Sequence, residues 1–398
     1  MKRFGSTKSS YWRGILLACP ATLLLLLALQ TPLGGATGFN LVYRGDWPSV
    51  LRTDGDWGRG VQSAHLYDES RDCLVRADST CFRVFQFNGK TWTQRDTIPS
   101  ASSGDTSDVS AWTVGDLGGK GQDAVIAVAG KTLGIYSRKG SKFGCTRYRL
   151  PYFVDDVKVG DVNNDGHNEL VMLTYQRLFP DSEGSFHYHV VTARVTGDSF
   201  TELWNDSARL GVIRDEECGS DRLVCVADVK GVGRNQLLCA RGQSDVSATV
   251  YVVFNWQKGR LTAAGEFLIT DTLLSGAETR SVPAPPFAPT PMLVESDSGW
   301  NDGSPEGPVM GDWIPVEFNG GSAFLVPWFG YATCKLARIA HDTFQVLDTL
   351  PDRDDFLYVR AYWLDPDGQG KGILRAPCET WPPNSPGQPF DFYRQKSN

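Results

Sequence analysis

One nine-residue stretch gathers side chains that act on a common partner: Asp161-Val162-Asn163-Asn164-Asp165-Gly166-His167-Asn168-Glu169. With Asp161 as position 1, side-chain oxygens fall at positions 1, 3, 5 and 9. Gly166 follows position 5, where a sharp turn favours a residue without a Cβ. Hard divalent cations take about six to eight oxygen ligands, and Ca2+ tolerates a flexible loop of this kind. The expected ligands are the side chains of Asp161, Asn163, Asp165 and Glu169, with the main-chain carbonyl of His167. Three crowded carboxylates repel one another unless a cation lies between them. The competing reading is an Asn-Asp-Gly turn held by its own side-chain hydrogen bonds. Glu169 favours the metal, because a turn alone does not require it. An EF-hand is excluded: its position 12 needs Glu, this chain has Met172 there, and both flanks read as strands.

The other reactive residues are sparse. The chain has 5 His. His187-Tyr188-His189 puts two imidazoles on one face of a strand, a pattern suited to Zn2+ or Cu2+, but no third ligand is evident. No G-x-S-x-G elbow, H-E-x-x-H helix or P-loop occurs. Carboxylates are plentiful, yet glycosidic chemistry depends on a separation that sequence does not give. The 12 Trp suit either a sugar-binding groove or packed cores.

The segments that must position these groups repeat. An apolar residue, often Gly, and an Asp lead through a short Gly-rich loop to an apolar strand. Val114-Gly115-Asp116-Leu117 precedes Ala124–Val128, and Val159-Gly160-Asp161-Val162 precedes Leu170–Leu173. Val226-Ala227-Asp228-Val229 precedes Leu237–Ala240, Met310-Gly311-Asp312-Trp313 precedes Ala323–Val326, and Trp363-Leu364-Asp365-Pro366 precedes Ile373–Ala376. A weaker copy centres on Tyr67-Asp68 with Cys73-Leu74-Val75. Alternating stretches follow, such as Thr132–Ser137, Val190–Val195, Phe82–Phe87 and Thr249–Phe254, with the period-two mark of strands. Asn88-Gly89 before Thr91-Trp92 reads as a hairpin. No stretch sustains helical periodicity.

Four strands per unit of about 40–50 residues predict an all-β fold, a β-propeller of four-stranded blades. Seven blades are favoured by length, and six fit the irregular spacing. A lone blade exposes two edges and cannot bury both faces, whereas packing blades around an axis buries them. A pair of β-sandwiches is the alternative.

The Asp161–Glu169 loop, running into Leu170-Val171-Met172-Leu173, resembles the FG-GAP or VCBS repeat of integrin α propellers and many exported bacterial proteins. The resemblance is strongest over Val109 to Thr174 and weaker elsewhere. It implies a propeller with calcium loops between the first two strands of a blade, and an extracellular binding or adhesion role. Other loops depart from that pattern. Lys120 stands at position 5 after Asp116, and Lys230 at position 3 after Asp228; an ammonium in place of the cation predicts no metal in either. Asp365-Pro366-Asp367-Gly368-Gln369-Gly370 keeps positions 1 and 3, with Gln369 as a candidate at position 5, but has Ile373 at position 9, a set suited at most to weak binding. Asp312 begins no ligand series.

Composition bounds the role. The chain of 398 residues carries Lys+Arg 39 and Asp+Glu 46, net charge −7. Setting aside Lys2, Arg3, Lys8 and Arg13 takes the excess of acid from 7 to 11. Such a balance disfavours nucleic acid and polybasic membrane-surface binding. Those four cations, the apolar run Ile15–Leu29 and the small residues around Ala36 have the layout of a secretory signal over residues 1–36. No later run is long enough to span a bilayer, so the mature chain is expected without a transmembrane span. Residues 37–398 are expected to form one propeller domain with a Pro- and Gly-rich insertion near 282–308. Eight cysteines remain beyond Cys19, an even number that favours disulfides in an exported chain. Cys73 with Cys81 and Cys218 with Cys225 are the closest candidate pairs.

Three roles follow. The first is an exported, non-catalytic propeller that binds a protein or glycan and holds Ca2+ structurally, with a secreted, periplasmic or cell-surface location. The second is a propeller enzyme acting on polysaccharide, a lyase or hydrolase, since a fold does not fix a function. The third is a structural part of an envelope assembly.

Overall fold

The computed structural model describes residues 38–51, 60–67, 70–78, 80–100, 109–177, 185–197, 199–206, 212–214, 222–241, 248–270, 313–328, 333–340, 343–350, 358–379 and 389–396. Its strands belong to one unit, Ala36–Asn398. Strand β1 (Phe39–Asp46) precedes a short 3-10 turn at Ser49–Leu51. Blade 1 then comprises β2 (Val61–Ala64), β3 (Cys73–Ala77), β4 (Cys81–Phe87) and β5 (Trp92–Pro99). Blade 2 is β6 (Val109–Gly115), β7 (Ala124–Ala129), β8 (Thr132–Lys139) and β9 (Lys142–Arg149). Blade 3 is β10 (Phe153–Gly160), β11 (Glu169–Arg177), β12 (Ser185–Thr196) and β13 (Ser199–Asp206), with the short β14 (Val212–Arg214) against β12. Blade 4 is β15 (Arg222–Ala227), β16 (Gln236–Arg241), β17 (Ala248–Gln257) and β18 (Arg260–Thr270). Blade 5 is β19 (Ile314–Phe318), β20 (Gly321–Trp328), β21 (Thr333–Ala340) and β22 (Thr343–Thr349). Blade 6 is β23 (Tyr358–Leu364), β24 (Gly372–Glu379) and β25 (Pro389–Gln395), completed by β1 in the order β1-β25-β24-β23.

All pairings within the blades are antiparallel. The first strands touch in a closed cycle: β2 with β6, β6 with β10, β10 with β15, β15 with β19, β19 with β23, and β23 with β2. The chain is therefore an all-β propeller of six blades.

Residue pattern explains the layering. The second strand of a blade is covered on both faces by neighbouring blades, and β7 accordingly reads Ala-Val-Ile-Ala-Val-Ala, buried throughout. The fourth strand lies at the rim, and β9 alternates between exposed and half-buried residues. Each of the six interfaces between neighbouring blades has its own apolar core. Trp47, Phe85, Tyr362 and Phe390 pack between blades 6 and 1. Tyr251, Phe267, Trp313 and Phe324 pack between blades 4 and 5. This burial, at about 25 cal/mol per Å2 of apolar surface, holds the ring together. Closure needs the N-terminal strand: Phe39 stacks on Phe318 of blade 5 at 5.6 Å, and the Gly38 N–H donates to Asp348 Oδ2 at 3.1 Å.

Four expectations need correction or limits. Seven blades were favoured because length was divided by unit size. The connections 207–221 and 271–313 take up that length instead. Asp312 falls before β19, so the fifth repeat was set out of register. The turn between β19 and β20 is Asn319-Gly320, with φ of 51° and 73°. The weak copy at Tyr67-Asp68 is also displaced, since β2 ends at Ala64 and the equivalent loop starts at His65. The expected Cys73–Cys81 disulfide does not form. Cys81 lies beside Asp78, whose N–H it receives. That is five residues along the strand from Cys73, roughly 16 Å, whereas a disulfide spans at most about 7 Å between Cα atoms. Neither Cys73 nor Cys81 is in a disulfide, and neither is Cys225. Cys218, the signal segment 1–36 and the insertion 282–308 lie outside the described residues.

Candidate metal centre

Four blades build the same loop between their first and second strands. The Asp that follows the first strand folds its carboxylate back over the loop and accepts main-chain N–H groups. Asp116 accepts from Gly118 at 3.0 Å and Gly121 at 2.5 Å. Asp161 accepts from Asp165 at 3.0 Å and Gly166 at 2.9 Å. Asp228 accepts from Val232 at 2.7 Å and Gly233 at 2.8 Å. Asp365 accepts from Gly368 at 2.8 Å, Gln369 at 3.1 Å and Gly370 at 2.9 Å. In every case the residue five positions on is a glycine with positive φ: 74° at Gly121, 87° at Gly166, 75° at Gly233 and 113° at Gly370. The recurring Asp and Gly are thus a turn device, in which a short carboxylate replaces missing main-chain partners and glycine supplies the left-handed residue.

A second device ties loops of neighbouring blades together from blade 6 through blade 4. The residue just before the second strand grips the loop of the preceding blade. Asn168 Nδ2 donates to Asp116 O at 2.6 Å, and Asn235 Nδ2 donates to Asp161 O at 3.1 Å. Asp123 Oδ2 accepts the His65 N–H at 2.7 Å, while the Asp123 N–H returns to His65 O at 2.8 Å. Asp72 Oδ2 accepts the Asp365 N–H at 2.7 Å, and the Asp72 N–H returns to Asp365 O at 2.7 Å. Burial raises the pKa of Asp123, the His65 N–H opposes that rise, and the charges of Asp72 and Asp116 add to it. These clasps were not expected from sequence. An Asp or Asn directly before the second strand of blades 1 to 4 was the available signal.

Blade 3 adds a buried carboxylate to this frame. Glu169 opens β11 with no solvent exposure. The β11–β12 register pairs Leu170 with Ala193, which sets Arg194 opposite Glu169. Arg194 Nε donates to Glu169 Oε1 at 3.1 Å. Its Nη2 bridges that same oxygen and Asp165 Oδ2, the latter at 2.5 Å. Asn163 Nδ2 donates to Glu169 Oε1 at 3.1 Å and to Asp165 Oδ2 at 3.3 Å. Glu169 Oε2 is buried and has no partner.

The predicted ligands therefore divide. Asp165, Asn163 and Glu169 converge. Asp161 faces the same cluster, and its charge acts on Glu169, but both of its oxygens hold the turn. His167 is exposed, and its N–H donates to Asp165 Oδ1 at 3.1 Å. The Glu169 pKa is raised: burial is the largest cause, Arg194 opposes it through hydrogen bonding and charge, and Asp165 and Asp161 add to the rise. Burial pushes Asp165 upward as well, but hydrogen bonds from Arg194 and the His167 N–H outweigh it and leave its pKa lowered.

Asp165 and Glu169 share the Arg194 guanidinium with Asp161 beside them, and one buried carboxylate oxygen lacks any partner. The donor types suit a hard divalent cation, but with Arg194 bridging them the carboxylates are not gathered into a metal-holding group. Ligation by Asn163 requires a half-turn of its amide, which now presents its NH2 group to the carboxylates. In the blade 4 loop, Lys230 Nζ donates to Ala264 O at 3.0 Å. In blade 6 the Asp367 carboxylate meets Arg394 Nη2 and the Tyr43 hydroxyl, the latter at 3.0 Å. His187 pairs with Gln176 and His189 with Thr174 along β11–β12. His189 is buried, and among the described residues no group of three His, Cys, Asp or Glu side chains is placed to hold a metal ion, either at these histidines or in the blade 3 loop.

No protein-family model matches this sequence, and no curated protein matches it. Among solved structures, the chain is similar to BBS1N, in a crystal structure of BBS1N in complex with ARL6DN soaked with lead. That likeness has 8% identity and a TM-score of 0.43, covering 92% of this chain and 99% of that one. It is also similar to the WD40 domain of coronin from Toxoplasma gondii, at 8% identity and a TM-score of 0.43, covering 85% of this chain and 69% of that one. Both likenesses are too distant to bear on function.

Proposed function

We propose that this propeller is an exported, non-catalytic binding module for a protein or glycan, stapled by one structural Ca2+ in the blade 3 loop. The carrying observation is Glu169: a buried carboxylate with a partnerless oxygen, beside Asp161 and Asp165, with one guanidinium to balance three negative charges. Asp161, Asp165, Glu169, Asn163 after its half-turn and the His167 carbonyl would hold the ion. The cation supplies charge neutralisation and ties the start of β11 to the loop.

The non-catalytic reading draws support from the same frame. Asp116, Asp161, Asp228 and Asp365 stand at the ends of the first strands, where acid–base groups of a channel mouth would lie, and each is engaged by its own loop. The enzyme alternative draws on His65 and Asp72, whose Nδ1 and Oδ1 lie 3.0 Å apart. Asp72, however, also holds the blade 6 loop through its other oxygen. A ligand-binding face is proposed at the strand ends opposite the Asp loops, because the Asp carboxylates of those loops are taken up by their own hydrogen bonds. The leader-like residues 1–36 support export, and among the described residues no helix is long and apolar enough to cross a membrane.

Calcium calorimetry and melting scans test the metal assignment. At about 100-fold excess over Kd, a ligand specific to the folded state adds about 2.7 kcal/mol. Wild type should therefore melt several degrees higher in calcium than in chelator, and Asp165→Ala should lose that difference. Identical wild-type melting in both conditions would refute the calcium reading.

A further inference from the structure

Resting on the calcium reading, we propose that Arg194 is a tethered counter-cation that competes with the divalent ion for the same carboxylates. Calcium then binds by displacing a guanidinium from the loop. The geometry sets the two in opposition. Arg194 donates to Glu169 Oε1 through both Nε and Nη2, and to Asp165 Oδ2 at 2.5 Å. Those are the oxygens a calcium ion needs, at about 2.3–2.6 Å. A guanidinium and a divalent ion sharing them would stand within strong mutual repulsion. The arginine side chain is 26% exposed, so it has a route outward. A long side chain can keep its stem packed while its head moves into water. Glu169 Oε2 marks what the arginine leaves undone, since the guanidinium satisfies one oxygen of that carboxylate and not the other.

Blade 6 carries a related pairing, with Gly372 in place of the Glu169 carboxylate. Gly372 pairs with Arg394 in the register that sets Glu169 against Arg194. Arg394 Nη2 meets Asp367 Oδ1, and its Nε donates to Gly370 O at 3.3 Å. Blades 2 and 4 lack a second loop carboxylate at positions 3 or 5. At the equivalent register they carry Ser137 and Asn255. Among these four loops, an arginine stands at that position where the loop has a surplus carboxylate, and a neutral side chain stands there otherwise. The guanidinium is thus matched to the loop's charge. It keeps the carboxylates compensated when metal is absent and lowers the affinity when metal arrives.

Calcium calorimetry on purified wild type and Arg194→Gln tests this. Arg194→Gln should bind calcium at least tenfold more tightly, and should melt lower than wild type in chelator. If wild type binds and Arg194→Gln binds equally or more weakly, competition is refuted while the calcium reading stands. If neither binds, the calcium reading falls and this inference falls with it. Should Arg194→Gln fail to fold, the wild-type Arg194 Nε–H resonance gives the answer, with Arg194→Lys for assignment. Saturating calcium should shift that resonance and speed its exchange with solvent. An Nε–H that calcium binding leaves unmoved would overturn the proposal.

Discussion

The loops of blades 3 and 4 share a backbone and differ in charge. Asp161 and Asp228 accept N–H groups from the same relative positions, and Gly166 and Gly233 take the same left-handed turn. Both loops then start a second strand whose first residue faces a residue of the third. In blade 3 that pair is Glu169 and Arg194. In blade 4 it is Gln236 and Asn255, joined by a neutral hydrogen bond of 2.6 Å. Gln236 Oε1 also receives the Lys230 N–H at 2.9 Å. The position-1 Asp is therefore architecture common to several blades. The cross-strand pair decides whether the loop has ionic chemistry.

Removing the counter-charge separates the two blades most strongly. Arg194→Ala in chelator leaves Glu169 buried without compensation and should cost about 3 kcal/mol, as when one partner of a buried pair is deleted. Asn255→Ala breaks only a neutral contact and should cost about 1 kcal/mol. Urea unfolding gives both values, and equal losses would break the distinction.

Asp161→Ala and Asp228→Ala each strip two loop N–H groups of their acceptor. About 2 kcal/mol is expected for each, equal within error in chelator. In calcium only the Asp161 variant should lose additional stabilisation. The clasps come next. Asn168→Ala and Asn235→Ala should each cost about 1 kcal/mol, and Asn235→Ala should speed alkylation of the buried thiols Cys225 and Cys239 in blade 4. Exposed Cys145 should react at an unchanged rate in that variant.

The smallest effect is expected from the swap itself. Glu169→Gln combined with Arg194→Asn gives blade 3 the neutral pair of blade 4. Metal-free stability should change by less than about 1 kcal/mol, since a buried ion pair roughly balances its desolvation. Calcium stabilisation should vanish. Alkaline titration adds a control on the ring interior. Burial pushes the Cys73 and Cys334 thiols up to about 12. Their contribution is therefore full below the unfolded-state value of about 8.5 and is lost as pH rises through about 12. Melting temperatures measured from pH 8 upward should fall across that window.

Much of the ring was legible because it rests on local pattern. Runs such as Ala124–Val128 mark strands buried on both faces, and Asp followed by Gly five residues later marks the turn. Blade number was harder to read, because length does not distinguish strand from connection. Blade 5 misled for a related reason: Asp312 lies before its first strand, and the real turn is only Asn319-Gly320. At the site, the Asp161–Glu169 series identified the loop, and Asn163, Asp165 and Glu169 do converge. Arg194 was invisible because it lies 25 residues beyond Glu169 and meets it only through the β11–β12 register. The clasps at Asp72, Asp123, Asn168 and Asn235 were missed likewise. Each reaches a neighbouring blade, and no spacing within one repeat reveals such a contact.

A crystal structure grown in millimolar calcium tests the central claim most directly. It should place an ion about 2.3–2.6 Å from oxygens of Asp161, Asp165 and Glu169, with the Arg194 guanidinium withdrawn from both Asp165 and Glu169. A loop without an ion, and with Arg194 still bridging those two carboxylates, would contradict it.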